Sequence, residues 1–216
     1  ETSGGDVTVV RLEGRAEVRT SGGDVTLGDL KSPSVSVHTS GGDIEADSIE
    51  GPTELRTSGG DIEVGMFRAD RLDASTSGGD IDVRNADARD LRLRTSGGDI
   101  TLANVTGDVE AGTSGGDIEA TSLNGALQAS TTGGDIEVSL RGSHDLDLST
   151  TGGSIDVDLP SNASADLNIR GGRVALDDDF RFSGTLKKNR AEGRVNGGGA
   201  RISARTSGGT VRVDSN

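Results

Sequence analysis

The chain contains no cysteine, tryptophan or tyrosine, and its 216 residues include only three phenylalanines and three prolines. Without cysteine, disulfide frameworks and thiolate sites are excluded. Aromatic side chains normally fill a thick core, and apolar residues reach only 30% of this chain, so we do not expect a large single core. No apolar run approaches the roughly 18 residues of a membrane-spanning helix, and we predict no membrane span.

Basic residues are also scarce: 22 Lys and Arg face 36 Asp and Glu, a formal net charge of −14. Nucleic-acid binding needs clustered positive charge, so we predict no nucleic-acid partner. The few basic residues are unevenly placed, with ten of them and four acids in residues 170–212. An acidic body with one basic end favours weak head-to-tail self-association at low salt, because such a heterologous contact propagates instead of closing. The alternative is a monomer whose first strand edge is capped by a segment upstream of this chain.

Glycine is abundant, with 35 residues, and most of it belongs to an internal repeat. The sequence Thr-Ser-Gly-Gly-Asp, followed by Ile or Val, begins at Thr2 and returns every 18 or 19 residues. Later copies begin at Thr20, Thr39, Thr57, Thr76, Thr95 and Thr113, with variants at Thr131, Thr150 and Thr206. Degenerate copies near residues 171–174 and 193–195 bring the total to about twelve units. A repeat of this length is typical of a solenoid.

Apolar residues alternate with polar ones inside each unit, as at Ile81 and Val83 and again at Leu91 and Leu93. A period of two indicates strands with one inward face. Units this small must stack to bury that face, which predicts a right-handed parallel β-solenoid, or β-helix, with coils about 4.8 Å apart. The Gly-Gly pair is expected to supply positive φ where the chain reverses.

The repeat weakens toward the carboxyl end, where Phe180 and Phe182 lie among charged residues. Solenoids need an atypical terminal unit to shield the exposed strand edge. We therefore predict one all-β domain, with regular coils over residues 1–168 and degenerate coils and a cap over residues 169–216. The strand Thr206–Asp214 is expected to pack back onto the sheet.

A column of aspartates is the most prominent candidate site. Its candidate metal ligands are Asp24, Asp43, Asp61, Asp80, Asp99, Asp117 and Asp135, and Asp6 continues it. A second outward column contains Glu45, Glu63, Asp82, Glu119, Glu137 and Asp156. Oxygen ligands suit Ca²⁺, so one interpretation is weak Ca²⁺ binding. The other is that each Asp accepts hydrogen bonds from nearby backbone N–H groups or hydroxyls.

Catalytic residues are not predicted, and no cofactor other than weakly bound Ca²⁺ is assigned. The only histidines, His38 and His144, are more than a hundred residues apart in the sequence. A carboxylate pair acts as acid and base only where two environments separate its pKa values, and a repeated solvated column offers no unique pair.

Several segments resemble the bacterial adhesin-type β-solenoid family, a domain of unknown function. They are the Thr-Ser-Gly-Gly-Asp-Ile-Glu-Val repeats, Leu159-Pro160-Ser161-Asn162-Ala163, and Gly193-Arg194-Val195-Asn196-Gly197-Gly198-Gly199 followed by Thr206-Ser207-Gly208-Gly209. The resemblance covers essentially the whole chain. It implies an exported or envelope-associated protein.

These observations predict a non-enzymatic structural or adhesive module, located outside the cell or in its envelope, with a targeting segment upstream of this chain. Its partner would be a cell-surface or envelope component. One alternative is a binding or sensing domain whose acidic face recruits cations, peptides or glycans. Another is a polysaccharide-active β-helix enzyme, which requires a groove with a non-repeating acid pair.

Overall fold

The structure is a computed structural model that describes residues 1–216. It contains 22 strands and no helix, and therefore no helix able to cross a membrane. In chain order the strands are β1 (Val7–Glu13), β2 (Ala16–Arg19), β3 (Val25–Lys31), β4 (Val35–His38), β5 (Ile44–Glu50), β6 (Thr53–Arg56), β7 (Ile62–Ser75), β8 (Ile81–Arg84), β9 (Ala86–Arg94), β10 (Ile100–Ala103), β11 (Thr106–Gly112), β12 (Ile118–Leu123), β13 (Leu127–Ser130), β14 (Ile136–Leu140), β15 (Leu146–Ser149), β16 (Ile155–Leu159), β17 (Ala165–Arg170), β18 (Arg173–Leu176), β19 (Phe182–Lys187), β20 (Arg190–Val195), β21 (Ala200–Arg205) and β22 (Thr210–Ser215).

Each strand of the regular region pairs in parallel with its counterpart one coil later. The isoleucine that follows each turn is in register with the next, as Ile62 with Ile81 and Ile81 with Ile100. Two faces result. The first face contains β1, β3, β5, the start of β7, β8, β10, β12, β14 and β16. The second face contains β2, β4, β6, the ends of β7 and β9, β11, β13 and β15. The all-β, parallel solenoid prediction is confirmed.

One coil shows how the narrow core is filled. Ile81, Val83, Ala86, Leu91 and Leu93 all point inward and are buried, and the same five positions stack from coil to coil. Full burial of an aliphatic side chain contributes about 1.5–3 kcal/mol. Small and branched aliphatic residues fill this space completely, which explains how the chain folds with almost no aromatic residues.

The Gly-Gly pairs do not serve the purpose that the sequence suggests. None of the glycines in the Thr-Ser-Gly-Gly turns has a φ in the left-handed region, so the positive-φ prediction is wrong. The second glycine is required for space instead. A Cβ added at Gly79 would overlap the carbonyl group of Gly60 in the coil below and lie 2.5 Å from Asp61 Oδ1. Only hydrogen allows adjacent turns to stack this closely.

The number of coils is lower than predicted. Eight complete coils stack in sequence order, not about twelve, because the chain after Leu159 does not continue the spiral. Instead, β21 lies between β15 and β17, and β22 lies between β16 and β18. The last strands of the chain therefore occupy a layer inside the stack.

An antiparallel hairpin of β19 and β20 covers β17 at the carboxyl end. Phe180 is buried there and Phe182 packs against the core, so both aromatic residues help to shield the last coil. Because β21 is inserted out of order, residues 200–205 lie directly beside residues 146–149 and residues 165–170. This arrangement assembles a surface that no consecutive stretch of sequence contains.

Candidate functional site

Each turn is hydrogen-bonded to the turn of the preceding coil through its threonine hydroxyl. The Thr95 hydroxyl donates to the carbonyl oxygen of Gly79 at 2.8 Å and accepts from the N–H of Gly98 at 3.3 Å. Equivalent bonds recur from Thr20 to Thr206. These threonines are buried, so removing the hydroxyl would leave two backbone groups without partners.

The predicted metal-ligand candidates form a ladder of capping bonds at the start of the first face. Asp80 Oδ1 accepts the N–H of Asp99 at 2.8 Å, and Asp99 Oδ1 accepts the N–H of Asp117 at 2.7 Å. The same bond to the following coil, between 2.7 and 3.1 Å long, is made by Asp6, Asp24, Asp43, Asp61, Asp117 and Asp135. These aspartates therefore hold adjacent coils together.

The same bonds limit what the Asp ladder can offer a cation. One oxygen of each carboxylate accepts a backbone N–H, and each of these aspartates is an exposed residue. No three His, Cys, Asp or Glu side chains come together in an arrangement that could hold a metal ion. Ca²⁺ prefers about six to eight oxygen ligands. Weak Ca²⁺ binding stays a prediction.

The second acidic column is partly neutralised by arginine. Arg84 contacts Glu63 at 2.5 Å and Asp82 at 2.9 Å. The pKa of the Arg84 guanidinium is raised above its ordinary value. The largest cause is the hydrogen bond to Asp82, and the negative charges of Asp82 and Glu63 add to it. At the carboxyl end Arg212 takes the next position in the column, in register with Asp156. This face is therefore not a continuous strip of free carboxylates.

An open groove of about 540 Å³ lies on the second face, between the fifth coil and β17. Acidic side chains line one part of it and basic side chains line the other. Its polar lining comprises Asp90, Asp108, Glu110, Gln128, Asp145, Asp147, Asn168, Arg201, Ser203 and Arg205. The groove crosses the point at which the sequential coils meet the inserted strand β21.

Several acids of the groove already have partners. Arg92 lies 3.3 Å from both Asp90 and Glu110. Asp108 accepts the N–H of Ala126 at 3.1 Å. A further acid, Asp145, accepts the N–H of Arg201 at 2.7 Å. These carboxylates are therefore held in structural bonds.

The remaining polar groups of the groove lie together around β21. Asp147 and Asn168 are the register neighbours of Ser203 on either side. Ser203 is 8% exposed, and both its hydroxyl oxygen and Asn168 Oδ1 are buried without a hydrogen-bond partner. Arg201 and Arg205 stand two residues before and after Ser203, on the same face of the strand. Donors, acceptors and positive charge thus converge on Ser203.

The groove cannot be predicted from the sequence. The basic character of residues 170–212 is visible in the sequence, but Ser203 and Asn168 match no motif. They become neighbours only because β21 is inserted beside β17. The excess of Arg over Asp and Glu near the carboxyl end is the one signal that points toward it.

Two aspartates near the carboxyl end have shifted pKa values. Backbone N–H groups of Asp179 and Ser215 donate to Asp177 at 3.0 and 3.2 Å and lower its pKa. Burial raises the pKa of Asp214, although the charge of Arg212 acts in the opposite direction. Asp177, directly after β18, thus binds the last strand through Ser215, and both aspartates lie outside the groove.

The chain matches the model of the Toastrack DUF4097 family over residues 1–103 and again over residues 53–214. The chain belongs to the Toastrack family. The two matches overlap over residues 53–103. Such an overlap is expected of a repeat, because the same residues can be aligned to the family model in more than one register. No curated protein and no solved structure matches the chain. A β-solenoid domain of unknown function, as the sequence resemblance implies, is thereby confirmed, whereas an adhesive role stays a prediction.

Replacing Thr95 with valine in this Toastrack domain should lower the free energy of unfolding by about 1–3 kcal/mol. Valine keeps the shape but leaves the Gly98 N–H and the Gly79 carbonyl without their side-chain partner. Urea denaturation measures the change. As a control, Thr101→Val on the outward face should change stability by less than about 0.5 kcal/mol. Equal effects would show that the buried threonine hydroxyls do not stabilise the Toastrack turns.

Millimolar Ca²⁺ should raise the melting temperature of the Toastrack domain slightly, and Mg²⁺ should do the same. Both ions screen the repulsion between neighbouring carboxylates of the Asp ladder. One oxygen of each carboxylate already accepts a backbone N–H and is less available to coordinate a cation. Isothermal titration with each ion, followed by thermal unfolding, tests this expectation. Saturable, stoichiometric binding of Ca²⁺ at micromolar concentration would instead establish coordination sites.

Proposed function

We propose that this Toastrack chain is a non-enzymatic structural or adhesive module, exported to the bacterial cell envelope. The observation that carries the proposal is the use of the repeated side chains to join coils. Thr95 and Asp80 both bond to the backbone of a neighbouring coil, and equivalent bonds recur along the stack. A stack reinforced in this way is suited to serve as a stiff rod that holds a binding surface at a distance.

The uniformity of the Asp ladder supports a role other than catalysis. Acid–base hydrolysis of glycans uses two carboxylates whose environments differ, so that one is protonated while the other is ionised. Successive members such as Asp80 and Asp99 make the same bond to the same backbone position. The ladder therefore provides many equivalent carboxylates and no distinguished pair.

Envelope fractionation of a producing bacterium tests the proposal, combined with an adhesion assay of a strain lacking the gene. We expect the protein in the envelope or extracellular fraction, and weaker attachment of the deletion strain that is restored by the intact gene. Recovery of the protein only from the cytosol would contradict the proposal. Release of reducing ends when the purified chain is incubated with polysaccharides would favour the enzymatic alternative.

A further inference from the structure

We propose that the groove around Ser203 binds an acidic polysaccharide. This inference rests on the proposed adhesive function and names the ligand class that the module would recognise. The site consists of Asp147, Ser203 and Asn168 in three adjacent layers, flanked by Arg201 and Arg205 on β21.

Unpartnered polar groups are the first support. Buried hydroxyl and amide oxygens nearly always have hydrogen-bond partners, and those without one call for an explanation. In this chain the only buried side-chain polar atoms without a partner are Ser203 Oγ, Asn168 Oδ1 and Arg190 Nε. The three atoms lie in three successive layers. Ser203 of β21 is in register with Asn168 of β17, and β17 pairs on its other side with β20, which carries Arg190. Ser203 and Asn168 both line the groove.

Positive charge that is neutralised only in part is the second support. Arg205, Arg170, Arg190 and Lys187 occupy one register column in adjacent strands. Adjacent strands place these side chains about 5 Å apart, so the like charges repel. Of the basic residues that follow residue 169, only Arg190, Arg194 and Arg212 form ion pairs with acidic residues. An anionic ligand would relieve this repulsion.

The groove contains both acidic and basic side chains, and this mixture limits which anionic ligands can bind. Asp147 forms no ion pair or side-chain hydrogen bond and lies beside Ser203, so the ligand must offer hydrogen-bond donors as well as negative charge. Sugar hydroxyls can donate to Asp147 and Ser203, while sugar carboxylates accept from Arg201 and Arg205. A nucleic acid would find no base stacking here, since no aromatic side chain lines the groove.

The shape of the groove fits an extended chain. It spans six layers, from Asp90 in the fifth coil to Asn168 in β17, a length of roughly 24 Å at the spacing of parallel strands. The groove is open along its length, so a polymer can lie in it without threading. The basic end of the groove would hold the carboxylates, and Gln128 lies within the middle of the path.

Isothermal titration with alginate oligosaccharide, a polymer of sugar carboxylates, tests the inference on the full chain. We expect saturable binding that weakens as salt is added, and no binding of neutral dextran of the same length. The double variant Arg201→Gln/Arg205→Gln should bind at least about tenfold more weakly. Arg68→Gln, which removes an exposed positive charge elsewhere on the solenoid, should bind as the wild type does.

Ser203→Ala separates a binding role from a structural one. Loss of one hydrogen bond to the ligand should weaken alginate binding about 3- to 10-fold. The melting temperature should not fall, because the hydroxyl that is removed has no partner in the free protein. A fall in melting temperature with unchanged binding would show a purely structural serine and overturn its assignment to the site.

Other results would overturn the inference directly. One is an equal loss of alginate binding in Arg68→Gln and in the double variant. Another is tighter binding of a single-stranded oligonucleotide than of alginate. The third is the absence of alginate binding at low salt. Concentration-dependent self-association that the double variant abolishes would assign the arginines to a second copy of the chain. If the protein is envelope-located and adhesive but does not bind alginate, the proposed function stands and this inference fails.

Discussion

Replacing Ile81 with aspartate is expected to lower the free energy of unfolding by about 4 kcal/mol or more. Ile81 is completely buried and lies between Ile62 and Ile100 in the coils on either side. A carboxylate at this position would be unpaired and surrounded by the apolar side chains of the core. Urea denaturation followed by circular dichroism measures the loss.

Glu45→Gln is the matched control for this change, because Glu45 is exposed on the same face and forms no ion pair. Its stability should stay within about 0.5 kcal/mol of the wild type. Comparable losses in the two variants would show that the inward and outward positions of the strands are assigned wrongly.

Replacing Gly79 with alanine is expected to cost about 3 kcal/mol or more, although both residues are small. The added methyl group would overlap the carbonyl group of Gly60, which is backbone and is fixed by the stacking of the turns. The neighbouring coil would have to move as a whole. Thermal and urea unfolding of the variant measure the effect.

Gly78→Ala provides a control one residue away in the same turn. A Cβ at Gly78 would lie 3.4 Å from the Gly59 carbonyl oxygen, close to ordinary van der Waals contact. Its stability should therefore stay within about 1 kcal/mol of the wild type, in either direction. If both alanine variants were tolerated equally, the close approach of successive turns would be refuted.

The regular coils are predictable from sequence because their signals are local and repeated. Alternation of residues such as Leu91 and Leu93 identifies the strands, and the 18- or 19-residue period identifies the stacking. The role of the second glycine is not predictable in this way. Both glycines look equivalent in the sequence, and only the distance to the preceding coil distinguishes Gly79 from Gly78.

The carboxyl-terminal region is less predictable because its strands pair out of sequence order. The sequence correctly indicates that Thr206 begins another turn, yet that turn bonds to Gly153, 53 residues earlier. The pairing of Ser203 with Asp147 and Asn168 follows from the same insertion. Local patterns specify which residues face outward, but they do not specify which strands become neighbours. The groove is invisible to sequence reasoning for that reason.

The bonding of each turn to the next coil through the Asp ladder is the central feature of this fold. Amide hydrogen exchange measured by nuclear magnetic resonance tests it most directly, at Asp43, Asp61, Asp80, Asp99, Asp117 and Asp135. These residues are exposed, yet their N–H groups each donate to the preceding carboxylate at 2.7–2.9 Å. We expect their amides to exchange as slowly as those of the buried strands. Exchange at the rate of an unprotected loop would contradict the ladder.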